Sequence, residues 1–374
     1  MRICHVITGL QKAAGTTTFV ENVVREQRAL GYEVEVVTNA NAADLAVCVG
    51  RASVVHIHGL WSPLLHKASR FARRAKLPVV WSTHGMTAPW ALRHKWWKKC
   101  APWYLYQRRD LKRAALIHCT TELEASWNQA LGFERTFVVP LGTVLPGVER
   151  DGRVEVERCR GEKGVGRRVL LYVGRIYPVK ALDNLIKAFA LANETLGRKL
   201  QISNSKHQAD SSWRLRLVGP DQAGHLAELV ALCQRLGLTY STPTEPRKDA
   251  RVEFVGPKYD AELEAEYWAC DALALVSHTE NFGATVVDAM AHGKPVITST
   301  RTPWEVVADE KCGWWVDNEP EKLAMAIGCL FAAAGPDLIQ MGRRGRNLVE
   351  RQYVWVAITR SLMPKYEGVL KERR

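Results

Sequence analysis

The sequence predicts an α/β chain built as two Rossmann-like domains in tandem, each a parallel sheet covered by helices on both faces. Three observations carry this. The chain has 374 residues, more than one ordinary core organises. Short apolar runs alternate with helical patterns, the signature of βα units. The alternation stops over residues 143–167, a polar, charged, glycine-bearing stretch that reads as an interdomain linker, and then restarts. Sheets of this kind bind ligands beyond the C-terminal ends of their strands, so the expected arrangement has the two domains facing across a cleft that holds the site.

The elements follow in order. Arg2–Ile7 reads as a strand, and Phe19–Leu30 has apolar residues at helical spacing. Gly31 is placed to end that helix, and Glu33–Thr38 is the next strand. Val54–His58 and Pro78–Ser82 are strands with a basic helix between them, and Leu116–Cys119 and Thr136–Val139 follow with a helix over Thr121–Leu131. Past the linker, strands are expected at Arg168–Gly174, Leu215–Val218, Val252–Val255, Ala272–Ser277 and Pro295–Thr298. Helices are expected at Asp183–Leu191, 222–236, 260–269, Gly283–Ala291, 320–334 and 338–352. Residues 201–213 are polar and read as a surface loop. The domains are accordingly 1–150 and 168–350, with a C-terminal helix over 351–374 packing back on the first domain.

Composition removes several function classes. Apolar residues make up 47% and charged residues 24%, as in a soluble globular protein. No uncharged apolar run reaches the 18 or so residues of a membrane span, and the N-terminal apolar stretch is too short for a signal peptide, so a cytoplasmic protein is expected. Nine scattered cysteines with no Cys-x-x-Cys pair argue against a disulfide framework or a zinc site. The charge is uneven: residues 1–150 carry +10 and residues 151–374 carry +3. The first half therefore faces something anionic.

The strongest chemical signal runs from Ser277 to Val296. Glu280 stands in the loop after a strand, Gly283 opens the next helix, and Asp288 lies on that helix. Five residues at 1.5 Å each put Asp288 roughly 7–8 Å along the axis, so the two carboxylates can grip different hydroxyl-bearing parts of one extended ligand. The helix N-terminus at Gly283 offers free amides and a dipole to a phosphate. Gly174, Arg175 and Lys180 leave the end of another strand in one loop, and two cations there can clamp a diphosphate and stabilise a leaving nucleotide.

Together these segments resemble glycosyltransferase family 4, the large retaining family with the GT-B fold. The resemblance covers nearly the whole chain and is strongest from Leu170 to about Tyr366, taking in Cys312–Val316 and Met341–Arg346. The family pattern of a Glu, seven residues and a second acid falls on Glu280 and Asp288, which implies that the first holds donor-sugar hydroxyls and the second the ribose. The Gly-Arg-x-x-x-x-Lys loop falls on Gly174, Arg175 and Lys180, implying pyrophosphate contacts, and Asn281, Phe282 and Gly283 match the loop that meets sugar and phosphate. The sequence departs from the family in three places: Asp288 replaces the usual Glu, Ala181 follows the lysine where glycine is common, and Ala14-Gly15 stands for a Gly-Gly loop, leaving Gly15 as the match and Gly9 as a weaker one. His84, just past a strand end, matches a histidine that contacts the donor sugar near the reaction centre. Base recognition is expected near Gly256.

The resemblance implies a retaining transfer of a hexose-type sugar from a nucleotide-diphosphate sugar to a glycan or lipid-linked acceptor. No Asp-x-Asp occurs in the chain, so no metal and no other cofactor is expected, with Arg175, Lys180 and the helix N-terminus in the metal's place. His56 and His58, two residues apart at a strand end, read as structural rather than metal ligands. Residues 93–113 hold eight Lys+Arg and one acid, interleaved with Trp96, Trp97, Trp103, Tyr104 and Tyr106. That mixture fits an anionic bilayer surface, so the chain is expected at the inner membrane face as a peripheral protein; no nucleic acid is expected. Two other functions fit the same residues: a nucleotide-sugar epimerase of this architecture, and a non-catalytic sugar-nucleotide-binding protein.

Overall fold

The computed structural model describes residues 1–10, 15–38, 41–147, 168–203 and 213–372. The chain divides into two compact units, Met1–Gly142 with Gln352–Arg374, and Thr143–Arg351. The division falls at Gly142, not at residue 150, and Thr143 belongs to the second unit through its bond to Asp288. Most of the expected linker, 148–167, lies outside the described residues.

The first unit is a six-stranded parallel sheet. Its strands are β1 (Arg2–Ile7), β2 (Glu33–Val37), β3 (Val54–His58), β4 (Val79–Ser82), β5 (Leu116–Cys119) and β6 (Thr136–Val138), in spatial order β2-β1-β3-β4-β5-β6. Every residue of β3 and β4 is buried, as strands covered on both faces require. On one face Phe19, Val20 and Val23 of α1 (Gly15–Ala29) pack with Trp355, Ile358, Leu362 and Tyr366 of the C-terminal helix Trp355–Lys371. On the other, Leu45 and Val49 of α2 (Ala42–Arg51) and Leu65 and Ala68 of α3 (Pro63–Arg74) pack with Trp81 and Leu111. Gly31 ends α1 with φ +85°, the left-handed conformation that favours glycine at a helix stop.

The second unit is a seven-stranded parallel sheet. Its strands are β7 (Val169–Val173), β8 (Arg214–Val218), β9 (Tyr240–Ser241), β10 (Val252–Gly256), β11 (Ala272–Leu275), β12 (Val296–Ser299) and β13 (Gly313–Val316), in order β13-β12-β11-β7-β8-β10-β9. The two short strands β9 and β13 were not expected from the sequence. The helix after β7 spans Leu182–Ser203, so it overruns the expected stop at Leu191 and takes in the first residues of the expected loop at 201–213. Residues 204–212 of that loop lie outside the described residues. The last helix of the unit starts at Gly335, three residues before the expected 338.

Candidate active site

In the second unit, β11, β7, β8 and β10 are consecutive neighbours, so the loops at their C-terminal ends share one rim. Backbone bonds lace these loops together. Gly174 N–H donates to the Val218 carbonyl at 2.9 Å, Gly219 N–H to the Gly256 carbonyl at 2.9 Å, and His278 N–H to the Val179 carbonyl at 2.8 Å. The crossing of the first two loops is tight. A Cβ on Gly219 would sit 1.8 Å from the Gly174 carbonyl oxygen, and Gly219 holds φ +150°. Only glycine fits there.

The charged residues gather on this rim. Lys180, at the end of a single 3₁₀ turn after β7, places Nζ 2.5 Å from Glu280 Oε2, and Ser277 Oγ donates to the same oxygen at 3.1 Å. Both members of the ion pair are 14% exposed, so the pair is partly desolvated and stronger than a surface pair. Arg175 is exposed and donates to Gln222 Oε1 at 2.8 Å, with its guanidinium over the Tyr177 ring. Gln222 follows β8, a position with no sequence signal of its own.

Gly283 caps the helix Ala284–Ala291 with φ +79° and no side-chain cap. A Cβ there would lie 2.5 Å from Leu275 Cδ2 and 3.3 Å from Glu280 Cγ, so the glycine lets the Glu280 loop close onto the helix start. The uncapped amides of that first turn leave donors that can face an anion. Asn281 is half-buried between Glu280 and the cap. Phe282 turns its side chain inward: the residue is 5% exposed and packs edge-on against Trp304, whose Nε1–H donates to the Phe282 carbonyl. Its side chain belongs to the core, and Trp304 is a support that only the tertiary structure discloses.

Asp288 accepts a bond from Thr143 Oγ at 2.7 Å. Burial pushes its carboxyl up to about 6, with the Thr143 bond pulling the other way. Gly256 ends β10 at φ +81° and is held to the β8 loop through Gly219.

In the first unit, His84 follows β4 with φ 48°, an uncommon conformation for a residue with a side chain. Glu124 is what holds the turn. It is fully buried, and its Oε1 accepts from Thr83 Oγ at 2.6 Å and Gly85 N–H at 2.5 Å, while Oε2 accepts from Thr120 N–H and Oγ, both at 2.8 Å. Burial drives this carboxyl upward, yet the Gly85, Thr120 and Thr83 bonds outweigh it and hold Glu124 below its ordinary value. Burial lowers His84 to about 4, so it is neutral at pH 7 despite the nearby Glu124. Gly15 is the first described residue of α1, and a Cβ there would meet nothing within 4 Å. The unit itself therefore does not demand a glycine at 15.

Among the described residues, His5, His56 and His58 form a group close enough for a metal ion. Their ring nitrogens are instead engaged by one another and by Gln27, Ser82, Tyr366 and His84. The eight described cysteines are all free.

A family model for glycosyl transferases group 1 matches residues 155–347, just over half of the chain. The chain is a family 4 glycosyltransferase. A second model, a glycosyl transferase 4-like domain, matches residues 45–142 of this glycosyltransferase. It is 25% identical to D-inositol 3-phosphate glycosyltransferase of Salinispora tropica over 98% of this chain and 83% of that one. The protein of that name from Actinosynnema mirum is 30% identical over 70% of this chain and 59% of its own length. Among solved structures, Anabaena HepE in complex with UDP and glucose superposes with a TM-score of 0.70 at 17% identity, covering 98% of this chain and all of that one. WaaG, a glycosyltransferase involved in lipopolysaccharide biosynthesis, gives 0.66 at 14%, covering 96% and 98%. These likenesses establish the GT-B fold. Among the described residues no single helix is long and apolar enough to cross a membrane.

Proposed function

We propose that this glycosyltransferase moves a hexose-type sugar from a nucleotide-diphosphate sugar, with retention and without a metal, to a glycan or lipid-linked acceptor. The observation that carries the reading is the shared rim: Glu280, Lys180, Arg175 and the amides at Gly283 stand on the loops of adjacent strands. Glu280 positions the donor sugar through its hydroxyls. Lys180, Arg175 and the helix N-terminus stabilise the charge that grows on the departing diphosphate. Gly174 lets the backbone approach that phosphate, and Asp288 and Gly256 take the ribose and base. In the first unit, Gly15 leaves room for the donor and His84 contacts the sugar. The acceptor hydroxyl attacks from the face the nucleotide leaves, and the departing phosphate takes its proton. A uridine donor is favoured by HepE, which was solved with UDP-glucose.

The acceptor reading draws on the first unit's surface. The segment after β4 forms the short helices Pro89–Arg93, Trp96–Pro102 and Arg108–Lys112, joined by a π turn over Trp103–Gln107. Inward, Trp103 packs on the core, and Asp110 is buried between His66 Nδ1 at 2.6 Å and Arg73 Nη1 at 3.0 Å. Outward, Trp96 and Trp97 are each 62% exposed and Tyr104 75%, among the exposed Lys95, Lys98, Arg108 and Arg109. Aromatic rings among cations suit an anionic lipid surface, where a lipid-linked acceptor would be presented at the inner membrane face. The relatives named D-inositol 3-phosphate glycosyltransferase favour a second reading, a small phosphorylated polyol as acceptor.

The test is nucleotide release from UDP-, GDP- and ADP-sugars in EDTA, with a lipid extract or inositol phosphate as acceptor. Release from one donor, dependent on one acceptor and lost in Glu280→Ala, supports the reading. Release that needs a divalent cation refutes metal independence. Conversion of the donor sugar without acceptor would indicate an epimerase, and tight donor binding without turnover a binding protein.

A further inference from the structure

Five histidines of the first unit lie on one unbroken line of hydrogen bonds. The strand register brings them together: His5 pairs with His56 across β1 and β3, His58 with Ser82 across β3 and β4, and Ser82 with His118 across β4 and β5. The line starts at a group that can only accept. The Val139 carbonyl oxygen lies 2.7 Å from His118 Nε2, so that nitrogen carries the proton. His118 is fully buried and neutral, hence bare at Nδ1, and Ser82 Oγ at 2.7 Å must donate to it.

Each later bond follows from the one before. With its hydrogen committed, Ser82 accepts from His56 Nε2 at 2.6 Å. His56 Nδ1 then accepts from the Tyr366 hydroxyl at 2.5 Å. The Tyr366 oxygen can now only accept; the Gln27 amide nitrogen faces it and donates to Met363 Sδ at 3.8 Å, which leaves the amide oxygen toward His5. His5 Nε2 donates to that oxygen at 2.9 Å, and His5 Nδ1 accepts from His58 Nε2 at 2.9 Å. His58 Nδ1 accepts from His84 Nε2 at 3.1 Å. His84, partly exposed, ends the line with Nδ1 unpartnered among the described residues.

We propose that this chain fixes His84 as a neutral imidazole with its proton on Nε2 and its lone pair on Nδ1, so that it meets a substrate only as a hydrogen-bond acceptor. The group it takes is then a hydroxyl, as on a sugar, and not a phosphate or carbonyl oxygen. His118, Ser82, His56, Tyr366, Gln27, His5 and His58 are positioning residues that act through His84. The substrate-facing half rests on the reading of His84 as a donor contact; the tautomer does not.

The experiment is a two-bond ¹H–¹⁵N correlation spectrum of the full chain labelled with ¹⁵N-histidine at pH 7. All five imidazoles are expected as neutral Nε2–H tautomers. In Tyr366→Phe, His118 keeps its tautomer because Val139 still anchors it, while His84 becomes a mixture. Ser82→Ala cuts the line nearer the anchor and serves if Tyr366→Phe does not fold. Wild-type His84 with its proton on Nδ1, or as an imidazolium, overturns the proposal, and so does a His84 tautomer indifferent to both cuts. Adding UDP-glucose is expected to shift the bare Nδ1 signal. If that signal stays still while the tautomers are as stated, the donor contact at His84 fails and the chain stands.

Discussion

Lys180 Nζ and Glu280 Oε2 lie 2.5 Å apart, joining a loop after β7 to a loop after β11 a hundred residues later. The cation assigned to the diphosphate and the carboxylate assigned to the sugar thus neutralise and orient one another. Glu280→Ala should lower kcat about 10²–10³-fold, the size of effect seen when one transition-state contact is removed. Lys180→Ala should lower it comparably, and the double variant should fall short of the product of the two effects, because each single change already frees the partner. Multiplicative losses in steady-state kinetics would argue that the pair does not act as a unit.

Two glycines should separate structural need from ligand need. Gly219→Ala forces a methyl onto the Gly174 carbonyl and should destabilise the chain by at least about 2 kcal/mol, visible as a lower Tm. Gly15→Ala meets only open space and should leave the unfolding free energy within about 0.5 kcal/mol of wild type while raising the donor KM. A Gly15→Ala enzyme with unchanged KM would remove Gly15 from the donor site.

Stability should fall with acid between about pH 6.5 and 4. Burial lowers His5 and His84 to about 4 and holds His56, His58, His118 and His292 below 6.5. The unfolded chain then binds more protons over this window, so the stabilisation is complete above pH 6.5 and is lost as pH drops. Each such histidine contributes up to about 1.4 kcal/mol per pH unit. Asp288, raised from 3.8 to about 6, has the opposite sign, its contribution fading as pH rises from about 4 to 6, but it is one group against six. Urea midpoints at pH 7, 6 and 5 check this; a flat series would mean that the histidines are not kept neutral.

Trp96→Ala with Trp97→Ala should leave the unfolding free energy unchanged within about 0.5 kcal/mol, because both rings are largely in solvent. Binding to vesicles containing anionic lipid should drop about tenfold or more at low salt. Equal binding by wild type and variant would refute docking through this face.

Strand positions were legible because buried parallel strands read as short continuous apolar runs, as in Val-Val-His-Ile-His of β3. The Glu280–Asp288 and Gly174–Lys180 segments were legible because each is local, with chemistry and spacing inside one βα unit. What escaped depends on contacts distant in sequence. Glu124 looks like an ordinary first-turn acid of the helix Glu122–Ala130 until the β4 loop donates to it. Gly219 is indispensable only because another loop passes within van der Waals distance. The five histidines sit on three strands and the turn after β4, and no spacing announces that strand register will align them. The helix Leu182–Ser203 was cut short because its polar second half loses the apolar stripe that marks its first.

The second unit is an insertion within the first: residues 352–374 supply Trp355, Leu362 and Tyr366 to a core begun by β1. During synthesis, then, β1 to β6 must wait for some two hundred intervening residues before their missing wall arrives. A nonsense mutation just ahead of Trp355 would leave every donor-loop residue translated, yet expose Phe19 and the buried imidazoles to water. Quality control on this chain would thus act at the last helix, where one short segment decides whether one whole face of the N-terminal sheet is closed to water.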